Sequence, residues 1–282
     1  MFATSPAEIV RKSQGIPVHL EGEWDFYPHT FLSETGEVPE SKLQLLVPGI
    51  WNSELGTGNG YGTYRLVLER PDGTDLDTVY GIKLVDLATA SRVYWNGKLL
   101  GSSGVVSKNP EESSPSYQFQ FYPLPWKDGP NELLVEISNY HHDKGGMWEP
   151  PYVGEWNKLF KENEKDLASS LFLAGAVFII ALYHFGLFYF RRSDKGNLLF
   201  GFAALLLSLR TLFTGERFVF NELSPYISWN FCLRIEYLTF YLSPYLFFAF
   251  FREFYPNFYP RWMDRLLLFP TLIFIQFSFG FT

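Results

Sequence analysis

The sequence is poor in residues that would tie it to several common protein classes. It has one cysteine, Cys232, so no intramolecular disulfide can form. Its 23 Lys+Arg stand against 30 Asp+Glu, and this acidic balance argues against a nucleic-acid partner, which would require a basic face. The sequence contains no P-loop, nucleophile elbow or HExxH motif. It also opens without the basic and apolar regions of a signal peptide.

Charge and hydropathy divide the chain into two halves. Residues 1–166 carry 14 Lys+Arg and 24 Asp+Glu, a net charge of −10, against +3 for residues 167–282. Residues 167–190 contain no Asp, Glu, Lys or Arg, and a helix of that length rises roughly 36 Å, enough to cross a hydrocarbon core of ~30 Å. Three further apolar segments lie at 198–215, 231–251 and 266–282. The pattern predicts a polar domain followed by four membrane helices.

The loops between these segments predict the orientation of the helices. Three cations follow the first segment, one follows the second and three follow the third: Arg191, Arg192, Lys195; Arg217; Arg252, Arg261, Arg265. By the positive-inside rule the first and third loops are cytoplasmic, which places residues 1–166 outside a multi-pass protein of the inner (plasma) membrane. We expect an upstream start that directs export, and further chain beyond residue 282.

Residues 1–154 read as an all-β domain. Apolar and polar residues alternate over 64–69, 117–121 and 131–138, as in strands with one buried face. Asn96-Gly97 between apolar runs predicts a type I′ hairpin, since both central positions need positive φ. Recurrent turn residues favour a sandwich or jelly roll, with no helix before residue 155. Residues 155–166 then form an amphipathic helical stalk.

Both halves contain segments that point to known families. Residues 88–101 (ATASRVYWNGKLLG), 129–139 (GPNELLVEISN), 20–27 (LEGEWDFY) and 48–52 (PGIWN) resemble the sugar-binding, galactose-binding-like jelly-roll domain of family-two glycoside hydrolases. Residues 190–192 (FRR), 209–216 (LRTLFTGE), 233–241 (LRIEYLTFY) and 251–256 (FREFYP) resemble the bacterial seven-transmembrane receptors with diverse intracellular signalling modules. The two resemblances cover nearly the whole chain in the order of the receptor family.

The resemblance implies a receptor, and we expect these 282 residues to have no enzymatic activity of their own and to need no metal or cofactor. The β domain would sense a small ligand, plausibly a carbohydrate, and seven helices would relay occupancy to a cytoplasmic cyclase, kinase or phosphatase. Only four of the seven spans, and no output module, fall within these residues. The alternatives are a membrane-anchored carbohydrate-binding protein, a glycosidase fragment or a transporter. The catalytic barrel of the related hydrolases is missing, and the continuous apolar spans lack the broken helices of transporters.

One polar corner is the candidate ligand site of the β domain. The segment 138–148 (SNYHHDKGGMW) follows a strand, and its candidate ligand-binding residues are Asn139, His141, His142, Asp143 and Trp148. Polar groups can bond sugar hydroxyls, and a pyranose ring can stack on an indole. The alternative is a structural corner turned by two glycines. Metal binding is disfavoured, because adjacent histidines on an extended chain point to opposite sides.

The membrane half has three polar candidates. Arg210 and Glu236 both lie about five residues from the outer ends of their helices, and we predict an ion pair between them. In the alternative, both side chains snorkel to the membrane interface. His184 lies in the first apolar segment, where a histidine either serves a proton or ligand site or bonds a neighbouring helix.

Overall fold

A computed structural model describes residues 5–35, 37–73, 77–85, 87–116, 118–215, 217–223, 226–255 and 262–280. The chain forms two compact units, Met1–Asn163 and Glu164–Thr282. The first is rich in sheet and the second is helical, which confirms that division of the predicted fold. Jelly-roll topology and a complete helical bundle stay predictions.

Among its described residues, the first unit has thirteen strands in three antiparallel sheets. A six-stranded sheet has the order β3-β2-β5-β11-β8-β9, a four-stranded sheet β1-β13-β6-β10, and a three-stranded sheet β4-β12-β7. The strands are β1 Val18–His19, β2 Gly22–Pro28, β3 Leu43–Val47, β4 Gly49–Ile50, β5 Gly60–Leu68, β6 Tyr80–Leu84, β7 Leu87–Ala88, β8 Ala90–Trp95, β9 Lys98–Ser103, β10 Gln120–Leu124, β11 Asn131–Asn139, β12 Gly146–Met147 and β13 Tyr152–Glu155.

The two larger sheets share one hydrophobic core. Trp24 on β2 and Leu133 on β11 pack in the same cluster as Ile82 on β6 and Val153 on β13. The cluster also takes up Trp51, whose side chain is fully buried. Burial of such large apolar side chains, at roughly 25 cal/mol per Å², is the main stabilising term for this unit.

The Asn96-Gly97 turn joins β8 to β9 as the sequence predicts. Both residues have positive φ, +50° and +79°, and Trp95 faces Lys98 across the hairpin. The expected absence of helices before residue 155 is wrong, since the unit also contains α1, Pro6–Lys12, and α2, Asn52–Leu55. The Ser5 hydroxyl accepts a hydrogen bond from the Glu8 amide and caps α1.

The second unit consists of helices. They are α3 Trp156–Phe190, which begins in the first unit, α4 Lys195–Phe213, α5 Phe218–Leu223, α6 Trp229–Phe254 and α7 Trp262–Gly280. Within the described residues, α3 and α4 are long and apolar enough to cross a membrane. The other two predicted spans fall on α6 and α7, and the tip of the fourth, residues 281–282, lies outside the described residues. The short helix α5 was not predicted.

Apolar side chains cover much of the surface of α3 beyond residue 170. Phe172 is 79% exposed and Ile179 67% exposed, and both would face water in a soluble protein. An apolar surface of this extent is typical of a lipid-facing or protein-facing helix. Within the unit, the Ser208 hydroxyl of α4 donates to the Ala174 carbonyl of α3 at 2.9 Å, which ties these two helices together.

Candidate functional site

The corner after β11 is organised by Asn139. This residue is fully buried, and its Nδ2 donates to the carbonyl oxygens of Gly58 (2.8 Å) and His142 (2.7 Å). Its Oδ1 accepts from the His142 amide at 3.2 Å and from the Thr89 hydroxyl at 3.2 Å. Asn139 was predicted as a ligand-binding residue. The structure corrects this, because its amide is saturated by protein groups and has no access to solvent.

A second set of bonds fastens the corner to the segment around α2. The Asn52 side chain donates to the Asp143 carbonyl at 2.7 Å and accepts from the Gly145 amide at 3.1 Å. The Trp51 indole donates to the Gly58 carbonyl at 3.0 Å. A Cβ on Gly145 would overlap both that indole and that carbonyl. The glycine is therefore required by close packing, and the corner is held rigidly.

The fixed corner forms one wall of a pocket of about 430 Å³. It is lined by Pro48, Gly49, Ile50, His142, Lys144 and Trp148. Residues 48–50 form the other wall, and their strand β4 is held beside the corner because Ile50 pairs with Gly146 and Gly49 pairs with Met147 of β12. Apolar and aromatic walls with a few polar groups are typical of small-molecule sites.

His142 and Trp148 give the pocket its aromatic side. Their rings lie 4.7 Å apart at an angle of 59°. The Lys144 amide donates to Nδ1 of His142 at 3.1 Å, which fixes the orientation of the imidazole. The structure thus brings these two predicted residues together in one pocket.

The other two predicted residues of the corner, His141 and Asp143, are exposed and do not line the pocket. Partial burial lowers the pKa of the His141 imidazole below its usual value. Lys144 and the wall at residues 48–50 were not predicted as site residues. Residues 48–50 belong to the segment PGIWN quoted above, but only the pairing of Gly49 and Ile50 with β12 shows that they lie beside the corner. No group of three His, Cys, Asp or Glu side chains suited to a metal occurs in the described part of the chain.

The polar contacts of the helical unit differ from the predicted ion pair. The Arg210 Nη1 donates to the main-chain carbonyl of Glu236 at 3.1 Å, and the guanidinium lies over the Phe240 ring at 5.3 Å. The cation next to the Glu236 carboxylate is Arg217, with 3.4 Å between Nη1 and Oε2. This corrects the prediction: α4 and α6 do meet at Glu236, but the turn before α5 brings a second arginine to the carboxylate.

His184 contacts the next helix. Its Nδ1 lies 2.8 Å from Oδ1 of Asn197 on α4, and the Asn197 amide donates to Asp194 at 2.8 Å. Since the Asn197 oxygen can only accept, Nδ1 carries the proton. The arrangement matches the alternative in which this histidine bonds a neighbouring helix.

Part of the chain, in the helical unit, matches a known family. The model for the family described as "7TM diverse intracellular signalling" matches residues 167–282. This is a receptor-type, membrane-associated domain family, and the match supports the resemblance drawn from the sequence. No curated protein matches the chain.

The solved structures to which part of the chain is similar include glycosidases. The chain is similar to a GH2 beta-galacturonidase from Eisenbergiella tayi, with 17% identity and a TM-score of 0.37, over 49% of this chain and 24% of that one. A beta-glucuronidase from an uncultured Clostridium sp. gives 15% identity and 0.40, over 49% and 28%. One from Bacteroides uniformis gives 18% and 0.39, over 49% and 17%. The chain thus spans at most about a quarter of these enzymes, and likeness at this level carries no conclusion about activity.

Proposed function

We propose that this chain is the sensing and membrane part of a signalling receptor. The β unit lies outside the cell and binds a small ligand of the carbohydrate class at the pocket of His142 and Trp148. The helices relay occupancy to a cytoplasmic signalling module. The observation that carries the proposal is the family match over residues 167–282, directly after a β unit that holds a pocket of its own.

The proposed coupling element is the first part of α3. Trp156 opens the helix and its main-chain amide donates to the Val79 carbonyl at 2.8 Å. Its ring packs 4.5 Å from that of Phe121, and Leu159 is almost fully buried. The helix then continues without a break to Phe190. A change at the β unit can therefore act on a span through a continuous helix, provided that the ligand binds two arrangements of the protein unequally.

Binding and relay can be tested together on the full chain in lipid nanodiscs. Spin labels are placed at residues 161 and 222, both exposed, in a Cys232→Ser background. Methyl glycosides are screened for binding by calorimetry, and the distance between the labels is then measured with and without each binder. We expect binding and a shifted distance distribution, with both lost in Trp148→Ala. An unchanged distribution at saturation would contradict the relay.

The orientation has a separate test. Protease added to intact spheroplasts should digest residues 1–150 and spare the loop at residues 191–195. Cleavage of that loop with an untouched β unit would invert the topology and remove the sensor proposal.

A further inference from the structure

The pocket at the corner contains a cation without a matching anion. Lys144 is exposed at its edge, and its ammonium pairs with no acidic side chain among the described residues. The other lining residues, Pro48, Gly49, Ile50, His142 and Trp148, include no carboxylate. Because residues 1–166 carry a net charge of −10, this local excess of positive charge runs against the surrounding balance.

The aromatic side of the same pocket offers a further donor. The Trp148 indole N–H is covered from solvent and has no hydrogen-bond acceptor in the described part of the chain. A buried donor without a partner is costly, and a small shift of the ring that opens the N–H to an acceptor oxygen of a ligand or water would relieve that cost. The pocket therefore favours a ligand that is rich in acceptor oxygens and carries negative charge.

We infer that the site prefers a sugar bearing a single carboxylate over its neutral counterpart, an inference that rests on the proposed function. The ring of the sugar packs on Trp148 and the wall at residues 48–50, and its carboxylate lies at the Lys144 ammonium. The acidic surroundings oppose a polyanion, so one carboxylate suits the site better than several. At physiological salt, the repulsion of a ligand carboxylate by acidic side chains is screened beyond about 8 Å. Its attraction to the Lys144 ammonium acts at contact distance and is screened less.

The expected preference is modest and measurable. Opposite charges ~4 Å apart in a water-like environment change an affinity by about fivefold. Calorimetry or saturation-transfer NMR on the full chain in nanodiscs compares methyl glucoside with methyl glucuronide, and methyl galactoside with methyl galacturonide. We expect the acid of at least one pair to bind about fivefold more tightly in 50 mM salt, with a smaller ratio in 300 mM salt.

Matched variants separate the cation from the rest of the site. Lys144→Gln should abolish the preference, so that the acid and the neutral glycoside of each pair bind with equal affinity. Lys98→Gln, which removes an exposed lysine outside the pocket lining, should retain the preference. Equal affinity within both pairs, or a preference that survives Lys144→Gln, overturns the inference and leaves the proposed function standing. Failure of all four glycosides to bind overturns the inference and the carbohydrate assignment together.

Discussion

Loss of the Arg217 guanidinium should loosen the junction of α5 and α6. Arg217 has φ of +49° and is 9% exposed, while the Glu236 side chain is 25% exposed. Breaking a fully buried ion pair costs about 3–5 kcal/mol of stability, whereas an exposed pair contributes about 0–1 kcal/mol. The Arg217–Glu236 pair lies between these limits, with 3.4 Å between the charged atoms, so we assign it about 1.5 kcal/mol. The replacement Arg217→Gln removes this contribution and leaves the carboxylate without its cation.

The only cysteine of the sequence supplies the assay. Cys232 lies one helical turn before Glu236 on α6 and is 4% exposed. A maleimide can react with it only when the junction opens, so about 1.5 kcal/mol should raise the labelling rate roughly tenfold. Labelling is followed by mass spectrometry on the full chain in nanodiscs.

Two further variants decide whether the pair is the cause. Arg234→Gln removes a cation of the same helix and leaves the Arg217–Glu236 contact in place, so we expect a labelling rate close to that of the unmodified chain. The double charge swap Arg217→Glu with Glu236→Arg should restore part of the protection. The reasoning is refuted if Arg217→Gln labels no faster than the unmodified chain, or if Arg234→Gln labels equally fast.

Three other predictions concern the β unit. Asn139→Ala should lower the free energy of unfolding by about 2–4 kcal/mol in a thermal melt, because buried partners lose their hydrogen bonds; an unchanged melt would contradict this role. Gly145→Ala should cost about 1–3 kcal/mol and abolish glycoside binding, since its methyl group meets the Trp51 indole; unchanged binding would show that the corner can yield. The Lys108 ammonium lowers the pKa of Glu34, which adds stability above pH 4.5 that is lost as the pH falls through the lowered value. In Glu34→Gln the free energy of unfolding should therefore fall less steeply as the pH is lowered. An unchanged pH dependence would exclude this contribution.

Local patterns in the sequence predicted local structure well. The Asn96-Gly97 hairpin follows from the backbone needs of two adjacent residues and is confirmed. Helix α1 could have been found in the same way, because Ser5 followed three residues later by Glu8 is the signature of a capped N-terminus. It was missed because the helix is only 7 residues long and has little apolar periodicity.

The pocket and the ion pair depend on contacts that no local pattern encodes. The wall at Gly49 and Ile50 meets β12 through a pair of two-residue strands, too short to show alternation. Arg217 reaches Glu236 because a left-handed turn and a 6-residue helix reverse the chain before α6. Such features require the tertiary fold, so the sequence could indicate the corner and the helices but not the residues that complete each site.

The two walls of the pocket come from segments more than ninety residues apart in the chain, at Gly49 and His142. Unfolding of the β unit therefore separates them, and an unfolded chain has no such pocket with which to hold a ligand. A compound that occupies the pocket at ten times its dissociation constant must raise the free energy of unfolding by ~1.4 kcal/mol. Compounds can therefore be screened for binding by the rise that they cause in the thermal stability of the protein, before any downstream signal is known.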